Sequence, residues 1–454
     1  MIVKYQAPGP WWHRGVNLLK LLPGAVVKAR ASTWDLAVQV EERGSALYIS
    51  VIGRDISEQG IVPAQRKAFL HILFRLLSQA HNAPLSPWGV MTGVRPGKIA
   101  ARLMEELGPE QTAVALGQDW LVSPEKASLL VRSLTNGYPQ LAERGLCLYI
   151  SVPFCPSRCH YCSFPALSLA QWQKLLPRYI QQAAAELSGL LTACRQYGYP
   201  INSIYVGGGT PTSLSPEMLA ELLAPAARPG CEFTVEGGRP DTLTPEHIQV
   251  LEALGVNRIC INAQYPQRET LEAIGRRHTV ADFYRALALA SSSKISIINS
   301  DLIIGLPGQT PGGFVQALEN LAEAGAQNIS IHALALKRGA QIRKQYLEPA
   351  AAQAIAASAY SWLEAQGFLP YYLYRQKDIA SNLENVGFGK PGTFCYYNIA
   401  SIGETEPVLG VGAGAVSKLV RHGAIETLNN PRDPNQYLAR SETLVRRKLD
   451  WLRR

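Results

Sequence analysis

No apolar run in this chain approaches the ~20 residues that a membrane-crossing helix needs. Lys20 and Pro23 interrupt the first thirty residues, where a secretory signal would sit. Neither a span nor a signal is therefore expected. Acidic side chains are the scarcer charge, 35 against 44 Lys and Arg, and the resulting +9 favours an anionic partner in the long-range field. Taken alone, that surplus leaves nucleic acid, anionic lipid, a polycarboxylate small molecule and a plain basic surface open. An evenly spaced cysteine framework is also missing, so the eight cysteines point to a reducing compartment, the cytoplasm by default. With 47% apolar and 17% charged residues the chain reads as globular, and its 454 residues predict two or three domains.

What is present is concentrated in one loop. Behind the apolar run 147–150 comes Ser151-Val152-Pro153-Phe154-Cys155-Pro156-Ser157-Arg158-Cys159-His160-Tyr161-Cys162-Ser163-Phe164. Three thiols this close cannot all meet disulfide geometry, and an odd number makes a soft metal the natural partner. A structural zinc site wants four protein ligands, usually as two CxxC pairs, and no second pair occurs in the sequence. His160 adjoins Cys159, where it would not easily share the same ion. The alternative is a four-iron, four-sulfur cluster on Cys155, Cys159 and Cys162, which leaves one iron open to a further ligand.

Alternating runs at 34–40 and 46–52 read as strands of a small sheet. From Pro63 onward Phe69, Ile72, Leu73, Leu76 and Leu77 form a helical stripe. Together these make a mixed α+β leader domain, 1–143. Within it, Trp88 and Arg95 read as ties holding the loop 87–98 to its own domain. Between 144 and 336, strands near 147–152, 202–206, 231–236, 258–263, 296–304 and 328–335 alternate with helices at 169–197, 216–226, 245–254, 280–291 and 313–324. That is the pattern of parallel βα units. A closed eightfold barrel takes ~250 residues, so these six units read as an open, partial (β/α)6 barrel. Residues 337–454, with a helix at 349–366 and Gly-rich stretches at 385–392 and 409–417, read as a C-terminal α/β extension acting as platform or lid. The tail 444–454 reads as a helix docked on that domain.

Polar and glycine positions gather at one rim of the expected barrel. The thiol loop follows the first strand. Gly207-Gly208-Gly209-Thr210-Pro211-Thr212 follows the second, where glycines let backbone N–H groups approach a carboxylate or ribose. Glu236 ends the third, Asn262-Ala263-Gln264 follows the fourth, Asp301 lies in the fifth and Ala335 near the end of the sixth.

CxxxCxxC after an apolar strand resembles the cluster loop of radical S-adenosylmethionine (SAM) enzymes. The spacing from Tyr149 to Ser417 is similar to the oxygen-independent coproporphyrinogen III oxidases. The likeness is strongest to the HemZ-type branch at 92–96, 372–377 and 383–387. The resemblance implies the partial barrel, a 4Fe-4S cluster on Cys155, Cys159 and Cys162, and a cluster-bound SAM held by Tyr149, Gly208 and Glu236, with Val416 as an apolar contact. It also implies a second SAM at Tyr161, Gly209, Thr210, Gln264, Arg276, Asp301 and Ala335. Two positions depart from the oxidase pattern: Phe164 stands where a further cysteine is usual and Ser151 where a histidine is. The missing cysteine is shared with haem-chaperone relatives of the HemW type.

The implied activity is that of a radical SAM oxidoreductase in haem biosynthesis. It would decarboxylate two propionates of coproporphyrinogen III oxidatively to give protoporphyrinogen IX. The SAM-derived radical carries the chemistry, so no side chain is named as catalytic. An anionic tetrapyrrole and an unidentified electron donor are the expected partners, and nucleic acid is not. Arg338, Arg375, Lys377 and Lys390 are candidate grips for the substrate carboxylates. Two other functions share the scaffold: a haem chaperone, with His332 or Cys395 as iron ligand, and a radical SAM methyltransferase.

Overall fold

In the computed structural model of the chain, residues 1–22, 25–81, 85–162, 167–335, 347–376, 379, 381–421 and 424–453 are described. They form two compact units, Met1–Arg132 and Ser133–Arg454. The first boundary falls inside the helix Pro124–Gly137, against an expected 143. The residues expected as a separate extension, 337–454, belong to the same compact unit as the barrel.

The first unit carries β1 (Ile2–Gln6), β2 (Val26–Lys28), β3 (Leu36–Arg43), β4 (Ala46–Gly53) and β5 (Ser57–Pro63) in the order β2-β1-β3-β4-β5. β1 pairs in parallel with β2 and β3, and β3 to β5 form an antiparallel meander. Alternation sets the inner face, where Leu47, Ile49 and Val51 are buried against the helix Arg66–His81. All five residues of that helix's expected stripe are buried.

The second unit is built on one large sheet. β6 (Leu146–Val152) leads into a short parallel pair, β7 (Phe154–Cys155) and β8 (Leu167–Ser168). The βα repeat continues with β9 (Ile201–Gly208), β10 (Glu232–Glu236), β11 (Arg258–Cys260), β12 (Ile297–Ile304) and β13 (Asn328–Ala333). β6 and β9 to β13 run parallel in the order β13-β12-β11-β10-β9-β6, so their C-terminal ends share one rim. Continuous apolar runs such as Leu146 to Val152 suit strands covered on both faces. The intervening helices start where the sequence supplies caps: the Ser215, Thr244 and Thr310 hydroxyls each accept a first-turn N–H, and Thr279 with Asp282 closes a capping box. The helix expected at 169–197 is broken into Leu169–Trp172 and Leu176–Gln196, with Pro177 starting the second piece.

Residues beyond 346 extend this sheet at both ends. β14 (Leu369–Tyr374) and β15 (Asn385–Gly389) add antiparallel strands beside β13. β16 (Val408–Val411) pairs in parallel with β6, followed by β17 (Val416–Arg421) and β18 (Ala424–Asn429). Among the described residues the sheet does not close, since β14 and β18 are its two edges. The helix Tyr396–Gly403 touches β6, β9 and β14 together. Only a strongly curved sheet, with this helix on its concave side, lets one short helix reach strands so far apart in the order. This is a partial α/β barrel, as the sequence predicts.

Candidate functional site

The three thiols stand where β6 reaches the rim. Cys155, in β7, places its Sγ 3.4 Å from the Thr210 hydroxyl. Burial pushes the Cys155 thiol up to about 11, Thr210 opposes that, and Cys162 and Cys159 push it the same way as burial. The three sulfurs therefore share one electrostatic neighbourhood; none of the three is in a disulfide, and all are part-exposed. His160 turns elsewhere: its Nδ1 lies 3.0 Å from the Ala273 carbonyl and its N–H donates to Ile274 at 2.9 Å. Among the described residues no three His, Cys, Asp or Glu side chains converge on a point a single metal ion would fill. A four-iron cube spreads its sulfur ligands more widely than one ion does, and three thiols without a fourth ligand fit it.

The glycine turn lies against this loop. Gly209 N–H donates to Val152 O at 2.7 Å and Thr210 N–H to Phe154 O at 2.8 Å. A Cβ on Gly209 would sit 2.5 Å from the Phe154 carbonyl oxygen, and Gly208 takes φ +110. A Cβ on Gly207 would stand 2.9 Å from the Glu236 carboxyl carbon. Glycine there is what makes room for the carboxylate. Tyr205 Oη donates to Glu236 Oε1 at 2.6 Å. Burial pushes Glu236 up to about 7; the Tyr205 bond opposes the rise, Asp301 adds to it, and His332 and the Gly208 N–H oppose it. The Tyr205 ring stacks on Tyr397 at 4.5 Å and on Tyr149 at 6.3 Å. Tyr149, Gly208 and Glu236 are thus brought together.

A second polar network begins on the other side of Glu236. Asp301 accepts from Asn262 Nδ2 at 3.0 Å and Asn299 Nδ2 at 2.9 Å, and His332 Nε2 stands 3.7 Å away. Burial pushes Asp301 up, but the His332 hydrogen bond and charge outweigh it and leave the carboxyl below its ordinary range. Burial pushes His332 down, and the same partner more than reverses this. Arg276 Nη1 donates to the Asn262 carbonyl and Nη2 to Tyr161 Oη at 3.1 Å. Arg276 Nε and Gln264 Oε1 are buried with no hydrogen-bond partner among the described residues, and Gln264 adopts φ +68. Such orphaned polar atoms at a rim suit a polar ligand. They fit the carboxylate and ribose of a SAM molecule by donor and acceptor type.

Ala335 makes a bridge to Ile379 just past β13. Val416 opens β17, 38% exposed, with its backbone beside Gly410, the partner of Tyr149 across the sheet. Neither adds a polar group to the two networks. Phe164, Arg338 and Lys377 lie outside the described residues. Of the other expected grips, Arg375 is buried beside Glu384, and Lys390 donates to the Gln366 carbonyl and covers the Phe368 ring at 4.5 Å. The Cys395 thiol is buried and donates to Glu232 Oε1 at 3.4 Å. Tyr205 and Tyr397 were not legible as site residues, although alternation in the strand before the glycine turn marks Tyr205 as facing the same side as Gly207.

The Radical SAM superfamily model matches residues 149–321. Over 439 residues the chain is 33% identical to the oxygen-independent coproporphyrinogen-III oxidase-like protein HemZ of Bacillus subtilis, covering 92% of this chain and 87% of that protein. It is 29% identical over 281 residues to the heme chaperone HemW of the same organism, covering 59% and 69%. The solved structure of coproporphyrinogen III oxidase (HemN) from Escherichia coli, a radical SAM enzyme, superposes with a TM-score of 0.54 at 22% identity, over 67% of this chain and 71% of that one. No helix among the described residues is long and apolar enough to cross a membrane.

Proposed function

The chain belongs to the radical SAM superfamily, in its HemZ-type, oxygen-independent coproporphyrinogen-III oxidase-like branch, and on that footing we propose that it decarboxylates coproporphyrinogen III to protoporphyrinogen IX in the cytoplasm. Each of two propionates would lose CO2, a hydrogen from its β-carbon and one electron to an acceptor, becoming a vinyl group. The family's cluster and SAM, when bound, supply a hydrogen-abstracting 5′-deoxyadenosyl radical.

In this reading Cys155, Cys159 and Cys162 hold the cluster, and Tyr149, Gly208 and Glu236 hold the SAM on it. Tyr161, Gly209, Thr210, Gln264, Arg276, Asp301 and Ala335 hold a second SAM, and Val416 lines the first. The chain's own contribution is orientation: Gly207 and Tyr205 fix where the Glu236 carboxylate stands, and Asn262 and Asn299 aim Asp301. The observation that carries the reading is the pair of networks, one on each side of Glu236, at the rim that bears the thiols.

A second reading, a haem chaperone, is favoured by Phe164 in place of the further cysteine and by the likeness to HemW. Cys395, bonded to Glu232, is a poor iron ligand in it. Anaerobic incubation of the reduced, reconstituted protein with SAM and coproporphyrinogen III distinguishes them. Protoporphyrinogen and 5′-deoxyadenosine are expected. A Soret band on adding haem with no turnover favours the chaperone, and a product heavier by a CH2 or CH3 unit a methyltransferase.

A further inference from the structure

We propose that Tyr205, to which the resemblance assigns nothing, is the positioning residue for Glu236, holding that carboxylate by a hydrogen bond and itself held by stacked rings. The inference rests on the reading that Glu236 binds SAM.

The hydrogen bond is 2.6 Å long. Rigidity comes from behind. Tyr205 lies on Tyr397 with ring centroids 4.5 Å apart and planes 25° apart, and Tyr149 stacks on Tyr397 at 6.0 Å. Tyr397 stands in the first turn of the helix on the concave side of the sheet. The backbone N–H groups of Tyr396 and Tyr397 donate to the Glu232 carboxylate at 2.9 and 3.0 Å, and that carboxylate is paired with buried Arg258 at 3.2 Å. An anion at a helix N-terminus is favourable and fixes the helix start. The order Arg258, Glu232, Tyr397, Tyr205, Glu236 therefore transmits a fixed geometry from the sheet interior to the rim. A carboxylate without such a partner would be free to turn among rotamers.

A merely structural tyrosine and a positioning one differ in what they do to the Glu236 proton. The groups facing Glu236 are Tyr205 and the Gly208 N–H from β9, Tyr149 from β6, Cys260 from β11, Asp301 from β12, His332 from β13 and Tyr397 from the helix Tyr396–Gly403. The Tyr205 hydroxyl favours the ionised form, so removing it raises the Glu236 pKa above its present value of about 7. A SAM amine or ribose hydroxyl donates to the ionised form. Binding then strengthens as pH rises through that pKa, and loss of the hydroxyl moves the rise upward by about one unit.

The test is SAM binding by calorimetry to the cluster-loaded protein from about pH 6 to about pH 9, with iron per chain measured alongside. For Y205F we expect unchanged iron, binding about threefold weaker at the alkaline end, where the carboxylate is ionised but no longer held, and a gap that widens to about tenfold or more near neutrality. E236Q should bind weakly with a flat profile. A Y205F profile superimposed on the parent, with E236Q flat, would show that Tyr205 only packs and overturn the proposal. An E236Q protein with the parental affinity and profile would instead remove the cofactor role of Glu236 itself.

Discussion

The Cys155 thiol and the Thr210 hydroxyl, 3.4 Å apart, join the first cysteine of the thiol loop to the turn that follows the next parallel strand. Two segments more than fifty residues apart in sequence thus share one corner of the site. Thr210 is 2% exposed and its backbone N–H is already held by Phe154. Thr210→Val keeps the shape and removes only the hydroxyl. The cluster should still assemble, but iron release to a chelator, followed by absorbance, should be about fivefold faster, the equivalent of roughly one hydrogen bond.

Gly207 and Gly209 separate function from folding. In Gly209→Ala the new methyl meets backbone, the Phe154 carbonyl at 2.5 Å, and nothing nearby can yield. A loss of about 1–3 kcal/mol in urea unfolding is expected, with poor cluster retention. In Gly207→Ala the methyl meets the Glu236 side chain, which can swing aside. Stability should hold while SAM binding, read by calorimetry, weakens by about tenfold or more.

The Asp301–His332 pair sets a pH window. Asp301 is held below its ordinary range, so its contribution is present above the unfolded carboxyl pKa and lost as pH falls through the lower folded value. His332 is held above its ordinary range, so its contribution is full below the unfolded value of about 6.5 and lost as pH rises through the folded one. Stability should therefore decline on the alkaline side of about pH 6.5. His332→Asn should flatten that decline at a cost of about 1 kcal/mol at mildly acidic pH, measured by urea unfolding at a series of pH values.

Much of this was legible in the sequence because periodicity reports burial. Apolar runs such as 146–150 are strands covered on both faces, and capping threonines mark where helices begin. Other parts needed partners that periodicity does not show. The Gly-rich stretch 385–392, expected as part of a platform or lid, contains β15, buried at every residue. Gly387 is small because the Tyr372 ring of β14 lies over it, and Gly389 because Asn328 does. Tyr205 and Tyr397 stack although 192 residues separate them, and nothing local announces such a pair. The sheet-extending role of β16 to β18 was likewise hidden, since β16 spans four residues and carries Gly410, with Gly412 and Gly414 following.

A buried ion pair fastens the C-terminal helix to the start of the thiol loop. Lys448, in the helix Pro434–Arg453, bonds Glu186 at 2.5 Å, and both are at most 1% exposed. Glu186 also accepts from Tyr437 Oη at 2.7 Å and from Gly412 N–H at 2.9 Å; Ser151 donates to the adjoining Ala413 carbonyl at 2.9 Å. Lys448→Met leaves the carboxylate unpaired and should cost about 3–5 kcal/mol. The double substitution with Glu186→Gln should recover part of it in urea unfolding.

We expect Cys155, Cys159 and Cys162 to carry a cluster with one iron left for SAM. Anaerobic iron and sulfide analysis with EPR, before and after adding SAM, tests it most directly. The expected result is about four iron and four sulfide per chain, a reduced-cluster signal that changes on adding SAM, and loss of both when any of the three cysteines becomes alanine. Zinc in place of iron, or a cluster signal that SAM leaves unaltered, would contradict it.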